Sequence, residues 1–256
     1  MSNMVQIYQD LRYALDPLAF IRERLRFFPD PHQAAIITSP SNQIILNCPR
    51  QWGKSTMTAA RAVFDAWHQP ESLIIVLGPS GRQSGEFVRK VALFLRRLNI
   101  RPHGDGGDDI SIVLPNGSRI VGLPCSEAKV RGFSGATMLV IDEASRVPDD
   151  LFAAMVPVLI TTNGRLWLLS TPNGRRGFFF NHWQDAEFNP KWHRFRIPAT
   201  ECPRIRPAAL ERQRALISDS DFRQDFLCEF IDTEEILFPQ DLITEAVNYE
   251  ISPIFN

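Results

Sequence analysis

The sequence predicts an α/β fold in which a mostly parallel central sheet is flanked by helices, and three patterns lead to this prediction. An apolar run at residues 43–46 precedes a short loop and an Ala-rich run at residues 57–67, as in a strand, a tight loop and a helix. Residues 72–77 form an apolar run too short for a helix, which indicates a buried parallel strand. Residues 138–141 form another such run, which ends in two carboxylates.

Composition limits the class of protein. A chain of 256 residues that is 44% apolar and 22% charged has room for one large domain, or a core with a small appendage. No window is apolar enough to span a membrane, and Gln9 and Asp10 stand where a signal peptide needs an apolar core. We therefore expect a cytoplasmic protein.

Cysteine spacing and charge exclude further classes. The four cysteines are scattered without a C-x-x-C pair, so they are expected to be reduced and structural rather than zinc ligands. The net charge of −1 provides no global attraction to nucleic acid, so any such contact must come from local patches. Arginine dominates the basic residues, which suits phosphate binding but is equally typical of a GC-rich genome.

The N-terminal part is predicted to be helical. Apolar residues recur at helical spacing up to Phe28, and Asp16-Pro17 has the form of an N-cap and first-turn proline. A second pair, Asp30-Pro31, opens a predicted helix at residues 32–38 with Gln33 in its first turn. A glutamine there can hydrogen-bond the amino edge of adenine, although a solvated side chain is the simpler interpretation.

The segment Cys48 to Thr56, CPRQWGKST, has the form of a phosphate-binding P-loop. In such a loop backbone N–H groups surround the β-phosphate, a lysine reaches the β- and γ-oxygens, and a hydroxyl holds Mg²⁺. Lys54 and Ser55 fit those two functions, and Gly53 allows close backbone approach. The usual first glycine is replaced by Cys48, so an ordinary turn that opens a helix is the alternative.

The middle of the chain is predicted to add a helix and a hairpin. Residues 84–98 form an amphipathic helix whose Arg96 and Arg97 are expected to be solvated, and Ser80, Arg82, Gln83 and Ser84 are candidates for ligand or DNA contact. Residues 110–114 and 119–123 flank a turn and predict a hairpin. The acidic loop at residues 103–109 is expected to be solvated rather than metal-binding.

The strand at residues 138–141 ends in Asp142 and Glu143. A carboxylate from the strand beside a P-loop can hold the hydration shell of Mg²⁺, and the next one can polarise the water that attacks the γ-phosphate. A further strand at residues 166–169 ends in Ser170 and Thr171, whose hydroxyls are placed to sense the γ-phosphate through water. Residues 193–197 are a candidate last strand. Polar helices follow, with Pro207 at one start and Ser218 and Asp221 in capping-box spacing.

Taken together, CPRQWGKST, VIDEAS and LLSTPNG, with PHQ upstream and GPSGRQSGE between, resemble the ATPase domain of a phage terminase large subunit over roughly residues 30–240. The resemblance implies a P-loop NTPase of the ASCE type with a small C-terminal lid subdomain. It also implies ATP and Mg²⁺ as cofactors, and ATP hydrolysis that powers translocation of double-stranded viral DNA into a procapsid.

The resemblance assigns individual residues. In this family an arginine commonly replaces a P-loop glycine, which agrees with Arg50. The implied nucleotide contacts are Gln33, Pro49, Arg50, Gln51, Trp52, Gly53, Lys54, Ser55 and Thr56. Ser55 and Asp142 serve Mg²⁺, Glu143 is the catalytic carboxylate, and Ser170, Thr171 and Pro172 couple hydrolysis to motion. Arg131 from a neighbouring subunit is favoured over Arg50 from the same subunit as the arginine finger.

The resemblance further implies domain limits and partners. We expect a core at residues 1–200, a lid at residues 201–240, and a linker at residues 241–256 toward an absent nuclease domain, so no DNA cleavage is expected from this chain. The expected partners are double-stranded DNA, the portal protein, the small terminase subunit and further copies in a homo-oligomeric ring on the procapsid, in the host cytoplasm. For the isolated domain, a monomer is the alternative to the ring.

Two other functions fit parts of the sequence. A nucleic-acid helicase or remodeller is suggested by the sequence from Asp142 to Ser145, but no second motor lobe follows the lid. The second function is that of a nucleotide-dependent assembly protein that binds ATP but hydrolyses little of it. The intact Glu143 argues against this function.

Overall fold

Seven strands form one sheet in the computed structural model, which describes residues 3–104, 106, 110–125, 132–185 and 191–232. In chain order they are β1 Gln43–Asn47, β2 Leu73–Gly78, β3 Ile110–Val113, β4 Arg119–Pro124, β5 Met138–Asp142, β6 Arg165–Ser170 and β7 Trp192–Arg196. Their order across the sheet is β3-β4-β2-β5-β6-β1-β7. Only β3 is antiparallel to its neighbour among the pairs described, so the predicted mostly parallel sheet is confirmed.

The strand order corrects one expectation. The strand with the two carboxylates, β5, does not lie beside the P-loop strand β1, because β6 pairs with both of them. All three are parallel, so their carboxyl ends meet at one edge of the sheet. Loops that follow β1, β5 and β6 are therefore brought together, with the residues after β6 in the middle.

The helices cover both faces of the sheet. They are α1 Asn3–Leu15, α2 Pro17–Glu23, α3 Pro31–Ile37, α4 Lys54–His68, α5 Gly81–Arg97, α6 Asp149–Met155, α7 Gly177–Asp185, α8 Pro207–Arg214 and α9 Asp219–Asp225. Short 3₁₀ helices occupy Ala144–Arg146, Val156–Leu159 and Ala199–Glu201. In the described ranges, no helix combines the length and apolar character needed to cross a membrane.

Two hydrophobic clusters lie on opposite faces of the sheet, because successive side chains of a strand alternate in direction. Ile44 and Leu46 of β1 pack with α2 to α5, whereas Ile45 packs on the other face with α6 and α7. A third, small cluster comprises Ala199, Leu210 and Phe222. Leu210 and Phe222 lie in the region predicted as the lid, whose boundaries remain a prediction.

Local capping explains several helix starts. Asp16 accepts hydrogen bonds from Leu18 N and Ala19 N, and Asp30 forms a reciprocal capping box with Gln33, which confirms both Asp-Pro predictions. Ser218 accepts from Asp221 N, as the capping spacing predicted. The hairpin of β3 and β4 is confirmed as well.

Other expectations were wrong or are not tested by the structure. Ser84 is buried and donates to the carbonyl of Leu123 at 2.7 Å, so it stabilises the sheet rather than contacting a ligand. Arg97 is not purely solvated, because it donates to the carbonyl of Arg26 at 3.1 Å. Helices α6 and α7 were not predicted from any pattern in the sequence. Most of the acidic loop, Arg131 and the tail beyond residue 232 lie outside the described residues.

Candidate active site

The P-loop connects the end of β1 to the start of α4. Its backbone turns through two left-handed residues, Gln51 at φ 61° and Gly53 at φ 98°. The left-handed φ favours glycine at position 53, and a Cβ there would also come within 3.1 Å of Nε2 of Gln33, a tight contact. Helix α4 begins at Lys54, three residues before the predicted run, which places Lys54 and Ser55 in its first turn.

Three loop residues have structural positions that limit what they can contact. Cys48, which replaces the usual glycine, is fully buried, and desolvation raises the pKa of its thiol to about 12, so it stays neutral. Pro49 is buried and has no N–H to donate. Trp52 is fully buried as a whole residue, so neither its ring nor its backbone offers an exposed surface to a nucleotide.

The acidic pair after β5 meets the first turn of α4. Ser55 Oγ donates to Asp142 Oδ2 at 2.8 Å, and Glu143 N donates to the other Asp142 oxygen at 3.1 Å. Glu143 has a left-handed backbone, φ 55° and ψ 44°, and its Oε1 lies 2.8 Å from Nζ of Lys54. The structure therefore brings all four predicted residues together, although β6 separates β5 from β1 in the sheet.

Desolvation governs the charges of this cluster. It raises the pKa of the Asp142 carboxyl above its ordinary value, an effect that the nearby ammonium of Lys54 partly offsets. Desolvation also opposes the charge on Lys54, but the acidic groups around it outweigh this effect and raise the pKa of Lys54. The lysine is thus held as a cation in the cleft before any phosphate is bound.

A polar cleft of about 360 Å³ lies over the loop. Its lining residues are Arg50, Gln51, Gly53, Lys54, Ser55, Thr56, Lys90 and Glu143. Of these, only Lys90 was not among the predicted site residues. A larger groove of about 720 Å³ at the starts of β1 and β7 has no carboxylate among its lining residues. Because the acid–lysine cluster opens into the smaller cleft, this cleft is the candidate active site.

Ser170 and Thr171 do not line this cleft. Both are buried, and the Ser170 hydroxyl donates to Ser145 Oγ at 2.8 Å, while Thr171 Oγ1 donates to the carbonyl of Cys48 at 3.0 Å. Pro172 is buried beside them. The hydroxyls therefore connect the start of the P-loop to the loop after Glu143. Because both hydroxyls are buried and bonded to protein atoms, this arrangement does not let them sense phosphate through a water molecule.

The same segment reaches the lid region. Gly174 N donates to Oε1 of Gln224 in α9 at 2.9 Å, and Asn47 Nδ2 donates to the carbonyl of Cys228 at 2.9 Å. The residues after β6 are thus hydrogen-bonded at one end to the start of the P-loop and at the other end to α9. The sequence held no signal for Gln224, since a single glutamine on a polar helix is unremarkable.

Gln33 is 2% exposed, and both ends of its amide group are occupied. Oε1 accepts from Asp30 N at 3.2 Å, and Nε2 donates to the carbonyl of Trp52 at 3.4 Å. Arg204 donates to the same Trp52 carbonyl and forms an ion pair with Asp30 at 2.9 Å. Gln33 and Arg204 therefore hold the P-loop backbone from two sides. Sequence reasoning missed Arg204, a loop arginine without a motif.

Two arginines, Arg50 and Arg131, are the candidates for the arginine finger. Arg50 is exposed and lines the cleft, so it is placed to act within its own subunit. Arg131 lies outside the described residues.

Comparison with known proteins agrees with this geometry. Terminase large subunits of Thermus phage G20c and Thermus virus P23-45 are each 26% identical over 258 residues, a match that covers 84% of this chain and 51% of theirs. The chain thus spans about half the length of these relatives. The fold is similar to the large terminase ATPase domain of Thermus phage P74-26, with a TM-score of 0.71 and 20% identity over 84% of this chain and 99% of that one.

The bacteriophage HK97 large terminase has the same TM-score, 0.71, at 16% identity over 85% of this chain and 55% of that one. The family model described as "Terminase large subunit, T4likevirus-type, N-terminal" matches residues 45–245, which is most of the chain. This chain therefore belongs to the terminase large subunit family of T4likevirus type, of which it contains the N-terminal region.

Proposed function

We propose that this chain hydrolyses ATP to drive double-stranded viral DNA into a procapsid. The observation that carries the proposal is the cluster in which Lys54 contacts Glu143 and Ser55 contacts Asp142 at the mouth of the cleft. Related proteins support it, since one is described as a large terminase ATPase domain and another as the large terminase of a thermophilic bacteriophage in complex with ADP.

The P-loop would bind the nucleotide phosphates. Arg50, Gln51 and the residues from Gly53 to Thr56 line the cleft at the start of α4, where the helix dipole favours anions. Lys54 would exchange its contact with Glu143 for the β- and γ-phosphate oxygens. Gln33 would contact adenine only after its hydrogen bond to Trp52 is released.

Ser55 and Asp142 fit a Mg²⁺ ion. Both offer oxygen atoms, they already contact each other at 2.8 Å, and desolvation disfavours the bare charge on Asp142. Among the described residues no group of three or more His, Cys, Asp or Glu side chains could hold a metal ion, so the ion would take further ligands from water and phosphate oxygens. When bound, the ion would neutralise charge on the β- and γ-phosphates.

Glu143 would act on the attacking water. Its carboxylate is held by Lys54, so phosphate binding to Lys54 frees Glu143 to accept a proton from water. The water oxygen then bonds to the γ-phosphorus as the bond to the β-phosphate oxygen breaks, which yields ADP and phosphate. Ser170, Thr171 and Pro172 would transmit this change, because they connect the P-loop and the Glu143 loop to α9.

We further propose that Arg131 of a neighbouring subunit stabilises the charge that develops on the γ-phosphate, and that Arg50 positions phosphate in its own subunit. This arrangement requires a homo-oligomeric ring, which would assemble around DNA with the portal protein and the small terminase subunit in the host cytoplasm. DNA binding by the chain alone should be weak and strongly salt-dependent, since the net charge is −1. Tight binding at high salt would contradict this.

Phosphate release from Mg-ATP tests the proposal. We expect Glu143→Ala to retain ATP binding while hydrolysis falls by about 100-fold or more, since a general base typically contributes that much. Lys54→Ala should lose both binding and hydrolysis. Glu211→Ala, at an exposed glutamate on α8, is the matched control and should resemble wild type.

Hydrolysis by Glu143→Ala within about tenfold of wild type would contradict the assignment of Glu143. Binding without turnover in the wild type would favour an assembly protein over a motor. Measuring the rate of ATP hydrolysis with and without double-stranded DNA tests the motor function directly, since an enzyme coupled to DNA should hydrolyse ATP faster when DNA is present.

A further inference from the structure

Lys90 of α5 lines the nucleotide cleft together with Lys54 and Glu143. It lies three residues after Phe87 and one before Val91, and both of these side chains are buried in the core. Glu86, one turn before Lys90, is exposed, so Lys90 lies at the boundary between the buried and exposed faces of α5. The side chain is half-buried, in contrast to the exposed Arg89 next to it.

The other charged groups of the cluster already have partners. Lys54 pairs with Glu143, and Asp142 accepts from Ser55. Arg89 pairs with Glu86 at 2.6 Å on the outer side of α5. Within the part of the chain that the structure describes, Lys90 forms no hydrogen bond and no ion pair. Lys90 is thus a partly desolvated ammonium that opens into the cleft without a bonded acceptor.

Asp142 and Glu86 favour the charge on Lys90 only through space. A half-buried cation without a bonded partner is unfavourable, so a position of this kind is most useful when a ligand supplies the anion. Desolvation lowers the pKa of Lys90, in agreement with this environment. Among the described residues, the cleft is lined by the cations Arg50, Lys54 and Lys90 and the carboxylate of Glu143, and Asp142 lies beside it. The excess positive charge suits a polyphosphate.

We propose that Lys90 donates a hydrogen bond to the terminal phosphate of a bound nucleoside triphosphate and makes the site prefer triphosphate to diphosphate. This inference rests on the proposed function and adds a ligand contact from α5 to those of the P-loop. The terminal phosphate is the acceptor because Lys90 shares the cleft with Glu143, the residue that acts at the γ-phosphorus. The contact also ties α5 to the nucleotide.

The test compares affinities for ATPγS and ADP, each with Mg²⁺, by isothermal titration calorimetry. We expect Lys90→Met, which keeps the apolar stem, to weaken ATPγS binding by about tenfold and ADP binding by less than about twofold, as loss of a charged hydrogen bond to one phosphate predicts. Lys90→Arg should recover most of the ATPγS affinity. Arg89→Met is the matched control and should match wild type for both ligands.

The ratio of the two affinities separates a ligand contact from a structural function, which would weaken both nucleotides alike. Equal losses for ATPγS and ADP, or no loss for either, would overturn the proposal for Lys90. If Lys90→Met does not fold by thermal melting, Lys90→Gln is measured in the same way. A wild-type chain that binds neither nucleotide would overturn the proposed function itself, whereas normal wild-type binding with an unchanged Lys90→Met would overturn only the inference on Lys90.

Discussion

At the scale of single residues, the active site places charge where folding alone would disfavour it. Asp142 is desolvated, Lys54 is buried, and Glu143 has a left-handed backbone that is uncommon for a residue other than glycine. These features are typical of residues selected for a ligand rather than for stability. The ligand-free domain should therefore gain stability when the buried charge is removed.

Asp142→Asn tests this trade-off. Because desolvation raises the pKa of Asp142, the neutral amide should raise the melting temperature of the ligand-free chain by about 2–4 °C, the change that about 1 kcal/mol produces in a domain of this size. Hydrolysis of Mg-ATP should be lost. Asp10→Asn, at an exposed aspartate of α1, is the control for both measurements. A lower melting temperature for Asp142→Asn would show that its contacts outweigh its desolvation.

At the scale of secondary structure elements, the P-loop is held by neighbours on both sides. The start of α3 and the loop before α8 meet at the carbonyl of Trp52, through Gln33 and Arg204. On the other side, the residues after β6 connect the loop to α9. The shape of the P-loop therefore depends on elements that are distant in sequence.

Arg204→Met should loosen the P-loop without removing a nucleotide contact. We expect stability to fall by about 1 kcal/mol, since the partly exposed ion pair with Asp30 and the hydrogen bond to the Trp52 carbonyl are lost, and ATPγS and ADP affinities to fall by the same factor. Urea unfolding and calorimetry measure the two effects. Arg206→Met, at the exposed arginine that precedes α8, should change neither. Unequal losses for the two nucleotides would instead assign Arg204 a direct phosphate contact.

The end of α4 provides a pH-dependent contribution to stability. Desolvation lowers the pKa of His68, whose ring packs at 4.8 Å from that of Phe20 and 4.5 Å from that of Phe64. A lowered pKa means that the unfolded chain takes up the proton first, so this stabilisation is present above the ordinary histidine pKa and is lost as pH falls.

Replacing His68 should therefore weaken the loss of stability on acidification. We expect the free energy of unfolding to fall less steeply from about pH 7 to about pH 5 in His68→Gln than in wild type, as measured by urea titrations. The same replacement at the exposed His103 is the control for this measurement. An identical slope for His68→Gln and wild type would contradict the lowered pKa.

At the scale of the whole molecule, the central question is whether one chain contains a complete site. A finger can contribute about 1,000-fold or more to turnover, so its source decides whether activity depends on assembly. If Arg131 acts in trans, specific activity should rise with protein concentration. Arg131→Ala should abolish that rise while nucleotide affinity stays nearly unchanged.

Mixing Arg131→Ala with Glu143→Ala decides between the two arginines. In a mixed ring, some interfaces pair an intact Glu143 site with an intact Arg131, so part of the activity should return. Assembly is checked by light scattering. Absence of recovery at every mixing ratio, in samples that do assemble, would assign the finger to Arg50, which already lines the cleft of its own subunit.

The sequence alone determined the features that depend on neighbouring residues. A loop with Lys54 and Ser55 must lie where a strand meets a helix, and an apolar run that ends in Asp142 and Glu143 must deliver them to a sheet edge. The continuous burial of β1 and the Asp-Pro helix starts likewise follow from short-range patterns. These signals were enough to predict the fold class and the residues that line most of the cleft.

Only the tertiary structure decided which distant side chains complete the site. The place of β6 between β5 and β1 is set by strand pairing between segments far apart in sequence, and it determines that Ser170 and Thr171 link loops instead of facing the cleft. Lys90 and Arg204 belong to no motif. Their positions follow from how α5 and the loop before α8 pack against the sheet edge, and packing over such separations leaves no periodic trace in the sequence.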